Sequence, residues 1–143
     1  MITQQPYRAT TGTTFEQMLE QVRYEGAYAT RAQAEEAVRA VLAAFGCQLT
    51  GEERVELAAR LPHEAAVIFT SQIPATEPLT GWAFVKDLAS RTGGSPATTR
   101  WDTGTVLRIV ARLAGEDLLT RVLAQLPSGY ALLFGRAELI QAA

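Results

Sequence analysis

Two stretches of this chain carry nearly the same arrangement of apolar and polar positions. Leu57-Ala58-Ala59-Arg60-Leu61-Pro62 leads to Phe69, and Val122-Leu123-Ala124-Gln125-Leu126-Pro127 leads to Phe134, each Phe seven positions past its proline. Proline disfavours the α region for the residue before it but suits the first turn of a new helix. Each stretch therefore predicts a helix, a sharp corner at Leu-Pro, and a second helix ending in a buried Phe.

The remaining pattern is helical too. Thr13-Thr14-Phe15-Glu16 reads as a capping box that opens a helix with Phe15, Met18, Leu19 and Val22 on one stripe and Gly26 as its stop. Thr30-Arg31-Ala32-Gln33 is a second box, opening a longer helix with Ala34, Ala37, Val38, Val41, Leu42 and Phe45 inward. Thr50-Gly51-Glu52-Glu53 is a third, starting the helix that runs through Val55, Leu57 and Ala58 to Leu61. Pro62 begins a short helix with Ala66, Val67 and Phe69, and the segment 72–79, with Pro74 and Pro78, is a linker. From Thr80 the pattern restarts. Phe84, Val85 and Leu88 match Met18, Leu19 and Val22 at an offset of 66, and Val106 and Leu107 match Val41 and Leu42 at 65. Ser95-Pro96 supplies an N-cap with proline at the first helical position. No stretch alternates as a strand would.

The expected organisation is thus all-α: two tandem four-helix repeats packed as a double helical bundle. A flexible leader covers 1–12, repeat 1 spans 13–72, a linker 73–79, repeat 2 spans 80–139, and 140–143 is a tail. Gly26-Ala27-Tyr28-Ala29-Thr30-Arg31, the Ala/Glu/Val run from Ala34 to Leu42, Leu49-Thr50-Gly51-Glu52-Glu53 and Leu57–Pro62 together resemble the bacterial DUF2267 family. The resemblance covers residues 13–135, with the first copy the closer match; in the second, Gly93–Pro96 and Thr98–Trp101 replace the usual start of the long helix. It implies an all-helical double bundle and brings no activity, cofactor or catalytic residue, because the family has no assigned function.

Composition narrows the classes. A chain of 143 residues can bury its own core without metal or disulfide. A net charge of −2 argues against a general nucleic-acid or membrane-surface binder. The single Cys47 fits a reducing compartment, and the absence of a long apolar run argues against a membrane span, so a cytoplasmic location is expected. Charge divides unevenly: residues 14–72 hold nine acidic and five basic side chains, residues 80–139 five and seven. Surfaces of opposite sign can face different partners, or each other in a neighbouring molecule.

Candidate chemistry is thin. His63, the single histidine, follows Pro62 with no orienting group at helical spacing, and Cys47 has no basic neighbour to activate it. The pairs Glu35-Glu36 and Glu52-Glu53 sit in early helical turns, where the macrodipole favours them without metal. The helices after the two corners are almost devoid of Lys and Arg, so they do not suit DNA. No enzyme activity, cofactor, metal or catalytic residue is expected. The expectation is a non-enzymatic module for protein interaction or assembly, self-association included, with Arg100, Trp101 and Trp82 as interaction residues, since Arg and Trp dominate interface hot spots. The alternative is a helical bundle that binds a small apolar ligand in a cavity of several hundred Å3 between the repeats.

Overall fold

A computed structural model describes residues 12–136, and every regular element among them is helical. The order is α1 (Phe15–Glu25), α2 (Arg31–Phe45), α3 (Gly51–Arg60), α4 (His63–Thr70), α5 (Gly81–Thr92), α6 (Pro96–Ala114), α7 (Glu116–Gln125) and α8 (Tyr130–Leu133). The leader before Gly12 and the tail after Arg136 lie outside the described residues.

The helix starts follow local chemistry, with two corrections. The first capping box is closed by Thr14 and Gln17, not by Thr13 and Glu16: Thr14 Oγ1 accepts from the Gln17 backbone N–H, and the Gln17 side-chain Oε1 from the Thr14 backbone N–H, both at 3.0 Å. Glu16 is drawn instead to Arg31 across the hairpin. The box of Thr30 and Gln33 forms as read, and so does the cap at Ser95, with Pro96 in the first turn of α6; Thr80 also caps α5, its hydroxyl accepting from the Ala83 N–H. The box expected at Thr50 and Glu53 does not form. Gly51 enters α3 at φ +72°, and the Gln125 amide takes the Thr50 N–H (2.7 Å), carbonyl (3.1 Å) and hydroxyl (3.2 Å) from across the molecule.

Both Leu-Pro corners turn as the residue before a proline must. Leu61 adopts φ −91°, ψ 153° and Leu126 φ −90°, ψ 152°, and both are buried. Pro62 caps α4 from outside its first turn. Beyond the second corner Gly129, at φ +98°, resets the chain, so α8 is a single turn where α4 has eight residues. Phe69 and Phe134 are both buried. Val55 and Val67 face solvent, because the stripe that α3 and α4 bury passes through Leu57, Leu61, Ala65 and Phe69.

One continuous apolar core takes residues from every helix. At its centre the Phe45 ring meets Phe69, Phe84, Tyr130 and Phe134 at centroid distances of 5.6–6.4 Å. This cluster ties the end of α2 to α4, α5 and α8, and such tilted and edge contacts stabilise by about 0.5–1.5 kcal/mol each beyond area burial. The non-helical segment between α4 and α5 is held down at two points. The Ala75 N–H donates to the Cys47 carbonyl at 2.8 Å, and the Leu79 N–H to the side-chain oxygen of buried Gln48 at 2.7 Å. Among the described residues no helix is long and apolar enough to cross a membrane.

Candidate functional site

The starts of α5 and α8 touch through backbone. The Gly81 N–H donates to the Ser128 carbonyl at 2.9 Å, and a Cβ on Gly81 would lie 2.6 Å from the Gly129 carbonyl carbon. Only glycine permits this approach. It brings Trp82, the next residue, beside Leu132, and opens between them a hollow of 180 Å3 lined also by Val85, Leu133 and Arg100. Trp82 is 66% exposed and Leu132 53%. Two of the residues singled out by sequence, Trp82 and Arg100, therefore meet at one site.

Arg100 has company. It stands one turn before Gly104 on α6 and Arg108 one turn after, and both fold back over that glycine. Their Nη1 atoms come within 2.8 and 3.2 Å of where a Cβ on Gly104 would stand, so they lie no more than about 6 Å apart. Neither has a carboxylate partner among the described residues, and neither does Lys86, one turn beyond Trp82 on α5. Every other described Arg is engaged: Arg23, Arg31, Arg39, Arg91, Arg112, Arg121 and Arg136 with carboxylates, Arg54 and Arg60 with backbone carbonyls. Two guanidinium groups this close without an anion repel each other, and a carboxylate set against them would relieve that repulsion. Leu132, Arg108 and Lys86 escaped the sequence reading. Arg100 and Arg108 carried a signal, since an i,i+8 pair around a glycine shares one helix face.

Trp101 goes elsewhere. Successive helical residues point about 100° apart, and its indole N–H donates at 2.9 Å to the Gly26 carbonyl at the end of α1, leaving the ring 51% exposed. Next to it the Tyr28 hydroxyl donates to Asp102 at 2.6 Å. Burial, and then the bond to Asp102, push the Tyr28 phenol well above its ordinary range. These contacts border an open cleft of 510 Å3 between α2, α5, α6 and the loop after α1. Ala37, Ala40, Val41 and Leu88 form its apolar part; Gln33, Glu36, Thr92, Thr98 and Asp102 make the rest polar and acidic.

The residues weighed for catalysis stay apart. His63 is exposed in the first turn of α4, and Cys47 is half-buried with its thiol over the Ala43 carbonyl at 3.8 Å. No group of three or more His, Cys, Asp or Glu among the described residues is placed to hold a metal ion.

The family model described as "Uncharacterized conserved protein (DUF2267)" matches residues 15–133, from the first residue of α1 to the last of α8. The chain belongs to the DUF2267 family. No curated protein matches it. The match spans both Leu-Pro corners, the Gly81–Gly129 contact and the arginine pair, so the candidate face lies within the family's own domain. A DUF2267 chain is all-helical in this instance, and its family description assigns no activity.

Proposed function

We propose that this DUF2267 chain is a non-enzymatic protein-interaction module of the cytoplasm, and that it docks a carboxylate-bearing apolar segment on the face of Trp82, Leu132, Arg100 and Arg108. One observation carries the reading: unpaired Arg100 lines an apolar hollow beside Trp82 and Leu132, and the equally unpaired Arg108 reaches over the same Gly104 as Arg100, in a molecule whose other described arginines are engaged. The hollow suits one aliphatic side chain and the arginines a neighbouring Asp or Glu, a combination that peptides offer and nucleic-acid backbones do not. Aromatic and arginine anchors of this kind dominate interface energetics. The single half-buried Cys47 supports a reducing location.

The test is a titration with a short amphipathic peptide of Glu and Leu, read by tryptophan emission. Binding should weaken with salt, should vanish in Trp82→Ala and in Arg100→Glu with the helical circular-dichroism signal unchanged, and should persist in Trp101→Phe. Equal binding of a DNA duplex, or peptide binding unaffected by Arg100→Glu, would overturn it.

The same proposal includes a two-copy architecture, four helices on each side of the linker. Support comes from positions 65 apart: Leu61 and Leu126 share backbone torsions, and Glu56 pairs with its own equivalent, Arg121, at 2.8 Å. Arg60 reaches the Ala114 carbonyl at the α6–α7 corner, while its equivalent Gln125 reaches Thr50 at the α2–α3 corner. A second functional reading rests on the cleft of 510 Å3, which meets the size a small-ligand site needs. Its lining of carboxylates and hydroxyls favours a polar molecule over the apolar one expected from sequence. A thermal-shift screen of small amines against small hydrocarbons separates the two.

A further inference from the structure

Charges that the fold leaves unpaired are sorted by position. Glu36, Glu52, Glu64 and Glu77 have no ion pair or hydrogen bond to their carboxylates among the described residues, and all precede α5. Among the described residues the unpaired cations are Lys86, Arg100 and Arg108, and all lie on α5 and α6. Solvated charges scattered for solubility need not segregate so. Exposed apolar residues stand beside the unpaired charges in both parts. Val55 is 69% exposed and Ile73 87%, and Val55, Glu52 and Pro74 border one open hollow on the α3 side. Glu52 stands one turn before Val55 on α3, so an aliphatic knob and a carboxylate share that face.

We propose that the Trp82 hollow is occupied by a second copy of this chain, which inserts Val55 between Trp82 and Leu132 and sets Glu52 against Arg100 and Arg108. This rests on the docking reading given above and names its partner. The chemistry matches on both sides: an apolar knob flanked by an acid meets an apolar hollow of 180 Å3 lined by Arg100, with Arg108 beside that arginine over Gly104. The contact is taken as heterologous, the knob of one copy in the hollow of the next, so that each copy keeps one acidic and one basic face available. Repeating it gives a chain or ring of molecules. The patches are small beside the ~800 Å2 per partner of a stable interface, so association is weak and responds to concentration and salt.

Sedimentation velocity on the full chain, over a concentration series at low and high salt, tests this with two single-face variants. The native chain should associate progressively at low salt and dissociate at high salt. Trp82→Ala/Arg100→Glu removes the basic face, Glu52→Lys/Val55→Lys the acidic one, and each alone should be monomeric. Mixed, they should form a one-to-one dimer that grows no further, because each supplies the face that the other lacks. Arg100→Glu and Glu52→Lys as single changes serve in the same way if a double variant loses its helical signal. A native chain that stays monomeric, single-face variants that still associate, or a mixture that stays monomeric would each overturn the proposal. If the chain does not associate yet binds the Glu/Leu peptide at Trp82, the second copy alone is wrong. If it binds neither, the docking face itself is wrong.

Discussion

Trp82 and Trp101 look interchangeable in the sequence, and their replacement should have opposite consequences. A fully enclosed tryptophan buries roughly 200 Å2. Trp101, at 51% exposure, buries about half of that, which at about 25 cal/mol per Å2 is an upper figure near 2.5 kcal/mol. Its indole N–H bond to Gly26 adds about 1 kcal/mol, because the carbonyl it serves sits on a buried residue. Trp101→Ala should therefore cost about 2–3.5 kcal/mol, and Trp101→Phe, which keeps most of the area and loses the bond, about 1 kcal/mol. Trp82 buries a third of its surface, and its indole has no hydrogen bond to lose among the described residues. Trp82→Ala should cost about 1–1.5 kcal/mol and Trp82→Phe less than about 0.5 kcal/mol. Urea unfolding of the four variants, with the m-value checked for constancy, gives the comparison. If Trp101→Phe leaves the midpoint unchanged, or Trp101→Ala costs no more than Trp82→Ala, then the indole bond does not hold α6 to the end of α1.

Leu61→Ala and Leu126→Ala should each lose about 2–5 kcal/mol in chemical denaturation, and a loss below ~1 kcal/mol would remove the corner from the core. Tyr130 is buried with no hydrogen-bond partner for its hydroxyl among the described residues, so Tyr130→Phe should leave stability unchanged or raise it by about 1 kcal/mol. Burial also raises the Tyr130 phenol, as it does that of Tyr28. The unfolded chain therefore gives up these protons first, and stability should fall as pH rises beyond ~10. Urea midpoints at about pH 8 and about pH 11 should show a shallower fall in Tyr130→Phe than in the native chain. Arg121→Glu should destabilise more than Glu56→Arg, because Arg121 also faces Glu53 and Asp117, and the double exchange should be more stable than Arg121→Glu alone. A double variant no better than that single one would show that the Glu56–Arg121 pair does not couple the helices.

What the sequence revealed was whatever a single helix decides. The stripe of α1, the inward face of α2, the box at Thr30 and the Ser95-Pro96 start all depend on neighbours within four residues, and all formed. The failures depend on partners far along the chain. Thr50 lost its capping box to Gln125, seventy-five residues away, and Glu16 lost its own to Arg31. The site divides in the same manner. Arg100, Trp101 and Trp82 could be singled out as candidates from residue type alone. That Trp82 meets Leu132, and that Trp101 turns away to Gly26, follows from the Gly81–Gly129 contact and the packing of α6 against α1, which no local period encodes.

The two-copy arrangement proposed above would give these observations a common cause. If a twofold relation joins the halves, equivalent positions near its axis must face each other, and Glu56 and Arg121 do. In a dimer of one identical unit such positions would carry like charges and repel. Within one chain each can carry its own residue, and here they are opposite. The same freedom accounts for the candidate face. The first-half equivalents of Trp82, Lys86 and Arg100, taking the offsets of 66 for α5 and 65 for α6, are Glu16, Glu20 and Glu35. Each of those acids is held by an arginine of its own half: Glu16 by Arg31, Glu20 by Arg23 and Glu35 by Arg39. Leu132 corresponds to Val67, likewise exposed, so the apolar member is kept on both sides. Core positions such as Met18 and Phe84, or Leu61 and Leu126, remain apolar in both halves because the shared core requires it. On the two-copy proposal, divergence has run where packing left it free. It has produced a neutralised acidic face on one half and, at the equivalent place on the other, an unpaired basic face with an exposed tryptophan.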